Sequence, residues 1–83
     1  MTIYFSTTKD DAEDKAKNGF MEKGLVFTTD KSYAKQTAKK KTPNPVVVAI
    51  TGMNENAFER TRAKKETYKN IVRFLTAFTV EEL

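Results

Sequence analysis

At 83 residues the chain has room for one hydrophobic core and not two, so a single compact domain over residues 1–83 is expected. It contains no cysteine and no histidine. Disulfides, thiolate or imidazole metal centres and Cys–His catalysis are thereby excluded, and Asp, Glu, Lys and Tyr remain to move protons. Fifteen basic and eleven acidic residues give a net charge of +4, and 39% hydrophobic content with six Phe and three Tyr describes a solvated surface over a packed core.

Residues 2–6 form a short β-rich run. Thr8-Lys9-Asp10-Asp11 then resembles a capping box, in which the Thr8 hydroxyl and the Asp11 carboxylate satisfy orphan amides at the start of a helix over residues 9–18. Ala12, Ala16 and Phe20 share one stripe of that helix, and Asn18-Gly19 supplies a left-handed stop. Residues 24–29 read as a second strand. Thr29 or Asp30 caps a second helix whose Tyr33, Ala34, Thr37 and Ala38 make a narrow buried face and which ends in Lys39-Lys40-Lys41. Thr42-Pro43-Asn44-Pro45 forbids continuation, and the apolar run 46–50 has the mark of a strand covered on both faces.

Gly52 breaks that strand and Asn54 can cap. Ala57, Phe58, Thr61, Tyr68 and Ile71 trace a helical stripe, which predicts a third helix over residues 55–70. Residues 72–80, rich in β-branched and aromatic side chains, predict a final strand followed by a frayed Glu81-Glu82-Leu83 end. The expected fold class is therefore α/β (α+β), a small mixed β-sheet with three helices in the order βαβαβαβ. No run approaches the roughly 18–20 apolar residues of a membrane span, and the opening Met-Thr-Ile-Tyr-Phe lacks a signal peptide's basic and apolar regions, so a cytoplasmic location is expected.

Charge is distributed unevenly. Residues 31–73 hold eleven basic side chains against Glu55, Glu59 and Glu66, whereas residues 1–30 hold six acids and four bases. Lys35, Lys39, Lys40 and Lys41 from one predicted helix and Arg60, Arg62, Lys64, Lys65 and Lys69 from the next are the candidate binding residues. Converging in space, they would form a patch whose attraction to phosphate falls with salt. The plainer alternative is two solvated helix faces placed to suit their dipoles. Phe27, Phe58, Phe74 and Phe78 have core positions ready for them, so the aromatic interleaving of a single-strand binder is thin. Tyr4, Tyr33 and Tyr68 read as amphipathic core-rim residues. Asp10, Asp11, Glu13 and Asp14 lack the spacing and the glycine of a calcium loop and are explained by helix-dipole complementation, so no metal is expected.

Several motifs resemble the core of the ADP-ribosyltransferase fold: Ile3-Tyr4-Phe5-Ser6-Thr7, Lys17-Asn18-Gly19-Phe20, Gly24-Leu25-Val26-Phe27-Thr28-Thr29-Asp30 with Tyr33-Ala34 and Ala38, and the valine run before Gly52. The resemblance implies that Thr7 and Thr28 would lie at a nicotinamide-dinucleotide site, and that Glu81 would be the catalytic candidate. Phe5 stands where that family has its anchoring His, Ser6 replaces its Gly, and Val26 replaces its stacking Tyr. A phenyl ring cannot donate a hydrogen bond to a ribose and a valine offers nicotinamide no aromatic face, so the resemblance implies a scaffold and not a working transferase. Glu81 and Glu82, as neighbours on a strand, would point to opposite faces and could not share a site.

A non-catalytic binding protein without a cofactor is the expected function. Its size and composition are similar to those of the inhibitors and adaptors that phages and mobile elements make against host nucleic-acid machinery. The partner would be an acidic protein surface or a nucleoprotein complex, met by the basic face. Two other functions follow from the same residues: a minimal ADP-ribosyltransferase-like enzyme using Glu81 or Glu82, and a direct, non-specific RNA or DNA binder.

Overall fold

The computed structural model describes residues 1–63 and 66–83. Along the chain run β1 (Ile3–Thr8), α1 (Lys9–Asn18), β2 (Val26–Thr28), α2 (Lys31–Ala38), β3 (Pro45–Ile50), a 3-10 turn (Glu55–Ala57), β4 (Phe58–Arg60), β5 (Thr67–Asn70) and β6 (Thr79–Glu82). The strands form one sheet in the order β4-β5-β2-β1-β3-β6. Every neighbouring pair is antiparallel. The class is α+β, with an antiparallel sheet in place of the expected mixed one and two α-helices in place of three.

β1 is the hub. It pairs with β3 along its full length, from Ile3 opposite Ile50 to Thr8 opposite Pro45, and carries β2 on its other edge. Alternation along these strands sends Ile3, Phe5, Val46, Val48 and Ile50 to one face, where they pack with Ala12 of α1. Tyr4 and Val47 face the other way and meet Ala34 and Ala38 of α2. The valine run is thus buried on both sides, as its unbroken apolar character predicts.

Local chemistry sets the helix starts. Thr8 is extended and its hydroxyl accepts from the Asp11 amide at 3.3 Å. Asp30 does the same for the Tyr33 amide at 3.1 Å. The Asp11 carboxylate departs from the capping-box expectation, bonding Thr7 and Lys15 instead. α1 ends at Gly19, whose φ of +84° is the conformation glycine permits. A Cβ there would also stand 2.8 Å from the Phe74 carbonyl, because Phe20 and Phe74 form an antiparallel bridge with N···O distances of 2.7 and 3.2 Å.

The predicted third helix over residues 55–70 is not formed among the described residues. The Asn54 cap is real, but it caps only the 3-10 turn, accepting from the Asn56 amide at 2.9 Å. The chain then makes β4 and β5, with the Thr61 amide donating to the Thr67 carbonyl at 2.9 Å across the loop. β2 offers an open edge, and β5 occupies it with Val26, Phe27 and Thr28 opposite Lys69, Tyr68 and Thr67. That long-range pairing, together with β-prone Phe58, Thr61, Thr67 and Tyr68, outweighs apolar spacing that suited a helix equally well. The final strand likewise lies later than expected, at Thr79–Glu82, so Glu81 and Glu82 are paired to β3 and not frayed.

All six phenylalanines form one cluster. Phe20 is fully buried and its ring lies within 5.9 Å of those of Phe5, Phe27, Phe74 and Phe78, stacking on Phe74 at 4.7 Å. Phe58 joins through Phe27 and Phe74. Beside this cluster the buried Asn70 side chain accepts from the Leu25 amide at 2.8 Å and donates to the Glu22 and Val72 carbonyls at 2.7 and 2.9 Å. It ties the loop before β2 to the chain after β5.

Phe20→Ala is expected to cost about 3–5 kcal/mol in urea unfolding, enough to threaten the fold of a domain this size. Asn70→Leu is expected to cost roughly 1–3 kcal/mol by orphaning the Leu25 amide and two carbonyls. Hydrogen exchange should show the Leu25 amide accelerating more than those of β1.

Candidate functional site

The structure divides the predicted basic patch. Lys31 and Lys35, one turn apart on α2, both approach the Glu81 carboxylate of β6, at 3.9 and 3.5 Å. Glu81 stands opposite Val47 and hence on the α2 face of the sheet, where the two ammonium groups offset its charge. Lys39, Lys40 and Lys41 follow the helix, their amides donating to the Lys35, Thr37 and Ala38 carbonyls. All three are exposed and, among the described residues, make no ion pair.

The remaining candidates lie across the sheet. Lys69 is opposite both Val26 and Glu59 and comes within 4.0 Å of the Glu59 carboxylate, on the same face as α2. Arg60 is opposite Tyr68 and points to the other face, because neighbours on a strand alternate. Arg62 is exposed in the loop between β4 and β5. Lys64 and Lys65 lie outside the described residues. Lys41 and Lys69 thus lie on the α2 side of the sheet, Lys69 beside Glu59, with Lys39 and Lys40 exposed next to Lys41, while Lys35 is paired with Glu81 and Arg60 lies on the other face.

On that face a groove of about 390 Å³ runs between α2 and the β1–β2–β5 strands. Tyr33 and Thr37, at i and i+4 on α2, form its helical wall, and Lys41, in the turn just beyond the helix, extends it. Tyr4, Ser6, Val26, Thr28 and Thr67 line the sheet side, together with Thr7. Val26 is 55% exposed there.

Most of the hydroxyls around it are already engaged. Thr7 donates to Asp11, Ser6 to the Ala34 carbonyl at 2.6 Å, Thr28 to the Glu66 carbonyl at 2.9 Å and Thr37 to the Tyr33 carbonyl at 3.0 Å. Thr67 is bonded to Thr61. Among the described residues no hydrogen bond takes up the Tyr4 or Tyr33 hydroxyl. What the groove offers a ligand is the Tyr33 ring with Tyr4 packed at its side, one exposed valine and one ammonium.

Sequence reasoning missed the groove wall because it grouped Tyr33 and Thr37 with Ala34 and Ala38 as one buried face. The usable signal was size: alanines 34 and 38 reach the sheet, and the larger Tyr33 and Thr37, one position earlier in each turn, fall at the rim.

Thr7 and Thr28, paired by the ADP-ribosyltransferase resemblance, both border the groove, but Thr7, opposite Val46, turns its hydroxyl to Asp11 on the α1 face while Thr28 lies on the α2 face. Glu81 does not border it. It is held by Lys31 and Lys35, whereas the groove wall begins at Tyr33, about 200° around the helix at 100° per residue. α2 stands between the carboxylate and the groove. No family model, curated protein or solved structure matches the chain.

One titrating network sits behind the groove. Burial pushes the Asp11 carboxyl up, but hydrogen bonds from Lys15 and Thr7 and the positive charges of Lys15 and Lys41 outweigh it and hold the group below its ordinary 3.8. Lys15 is itself largely buried, 2.8 Å from Asp11 and 5.5 and 5.8 Å from the Phe5 and Phe20 ring centroids. A carboxyl with a depressed folded-state pKa stabilises the fold above its unfolded value and ceases to do so as pH falls through the folded one. Thermal stability is therefore expected to decline below about pH 4. Asp11→Asn should be less stable at neutral pH and show a shallower acid decline, measured by melting temperature between pH 2 and 7.

Proposed function

We propose that this chain is a small non-catalytic binding protein of the inhibitor or adaptor kind, which docks its α2 face on the phosphates of a nucleic acid or nucleoprotein complex. One contrast carries the reading. Glu81 neutralises the first two lysines of α2 and leaves the three at its end exposed and without ion pairs among the described residues. Like charges crowded in sequence raise the local potential, and phosphate contacts that release counterions convert that potential into affinity.

The reading is tested by comparing two charge-neutralised pairs, Lys39→Gln/Lys40→Gln and Lys31→Gln/Lys35→Gln, for binding to a 20-base-pair duplex by anisotropy across a salt series. Loss of two phosphate contacts in the first pair should reduce the slope of log affinity against log salt by about 2, with little change in the second. Equal slopes for both pairs would reject the α2 end as the contact. Retrieval of partners from a lysate with and without nuclease then separates a protein target from nucleic acid itself.

A transferase reading has one observation in its favour, that Thr7 and Thr28 both border the groove. Against it stand the commitment of both hydroxyls to intrachain bonds and the placement of Glu81 across α2.

A further inference from the structure

We infer that the groove beside α2 seats a base of a single-stranded nucleic acid, with Lys41 and Lys69 receiving the neighbouring phosphates. The inference rests on the proposed binding function and names its ligand more closely.

The groove's chemistry selects the ligand. At about 390 Å³ it lies within the usual range of small-ligand sites and is open along one side of the helix. The Tyr33 ring and the exposed Val26 border it, with Tyr4 packed at its side against Ala34 and Ala38, so the ligand part that enters must be flat and largely apolar on its faces. Lys41 extends the helical wall, and Lys69 stands directly opposite Val26 in the β2–β5 ladder, so the same ligand must carry negative charge beside its flat part. A nucleotide has both features, and a duplex does not expose the first. Because the Ser and Thr hydroxyls are engaged within the chain, few donors remain to read base edges. Stacking on an aromatic face is tolerant of base identity, so recognition should depend on strandedness more than on sequence. Phe5 and Phe27 also border the groove, but both are buried in the core cluster and offer no exposed ring for stacking.

The test uses the full chain with fluorescein-labelled 12-nucleotide oligothymidylate and oligouridylate, a duplex of equal length, and the free mononucleotide. Single strands should bind more tightly than duplex, with a log–log salt slope of about −3 for phosphate contacts to Lys39, Lys40, Lys41 and Lys69. Tyr33→Ala should weaken single-strand binding about tenfold or more while leaving the salt slope unchanged. Val26→Glu, at a position exposed enough to tolerate it, should weaken binding comparably by placing a carboxylate against the phosphates, and its melting curve reports whether it folds. Single-strand binding indifferent to both groove variants yet lost in Lys39→Gln/Lys40→Gln would overturn this inference and leave the basic-face proposal standing. Binding to no polyanion at all would overturn both. Saturable binding of the mononucleotide or of nicotinamide dinucleotide with no preference for the oligomer would overturn the single-strand assignment and favour the transferase reading.

Discussion

Packing of the phenylalanine cluster is the constraint on which the rest of the structure depends. The two helices bury only alanines, Ala12 on one side of the sheet and Ala34 and Ala38 on the other, and alanine methyls alone cannot fill the space over a six-stranded sheet. Phe20 supplies the missing volume at the end of α1, and four other phenylalanine rings lie around it. Its backbone bridge to Phe74 draws the segment between β5 and β6 across the same face, and that closure needs a glycine at position 19, where a side chain would strike the Phe74 carbonyl. A turn, a bridge and a core are therefore one requirement expressed three times.

The small-residue side of α2 has a different consequence. Ala34 and Ala38 let the helix approach β1 and β3 closely, and the Ser6 hydroxyl reaches the Ala34 carbonyl. Side chains one step around the helix then stand at its flank and not beneath it. On one flank Lys31 and Lys35 meet Glu81. On the other Tyr33 and Thr37, with Lys41 just beyond the helix, border the groove over β2. The groove is a by-product of close helix–sheet packing, and its charge asymmetry follows from β6 supplying an acid on one flank alone.

Polar satisfaction limits what that groove can do. Five of its hydroxyl side chains are already bonded within the chain, Thr7 to α1, Ser6 to α2 and Thr28 to the Glu66 carbonyl, Thr37 within α2 and Thr67 within the β4–β5 hairpin, and breaking these bonds to engage a ligand would cost what they contribute to the fold. A site built this way is rigid and poor in free donors. It suits stacking and charge attraction, and it suits poorly the precise polar anchoring on which group transfer depends.

Local chemistry was enough to determine the first half of this protein. Thr8 and Asp30 as caps, Gly19 as a stop, small residues on α2 and an unbroken valine strand are all decided by side chains within a few positions of one another, so β1, α1, β2, α2 and β3 were legible from the sequence, as were the absence of thiol and imidazole chemistry and the excess of positive charge. The second half depended on partners far along the chain. Residues 58–70 carry apolar spacing compatible with either structure, and only the open edge of β2 selected the hairpin. Glu81 looked like a terminal residue until β6 set it against Lys31 and Lys35, and Arg60 and Lys69 looked like neighbours until strand alternation turned them apart. Which lysines remain unpaired, and that Tyr4 and Tyr33 at the core's rim border a groove, are properties of distance in space, and tertiary structure alone decided them.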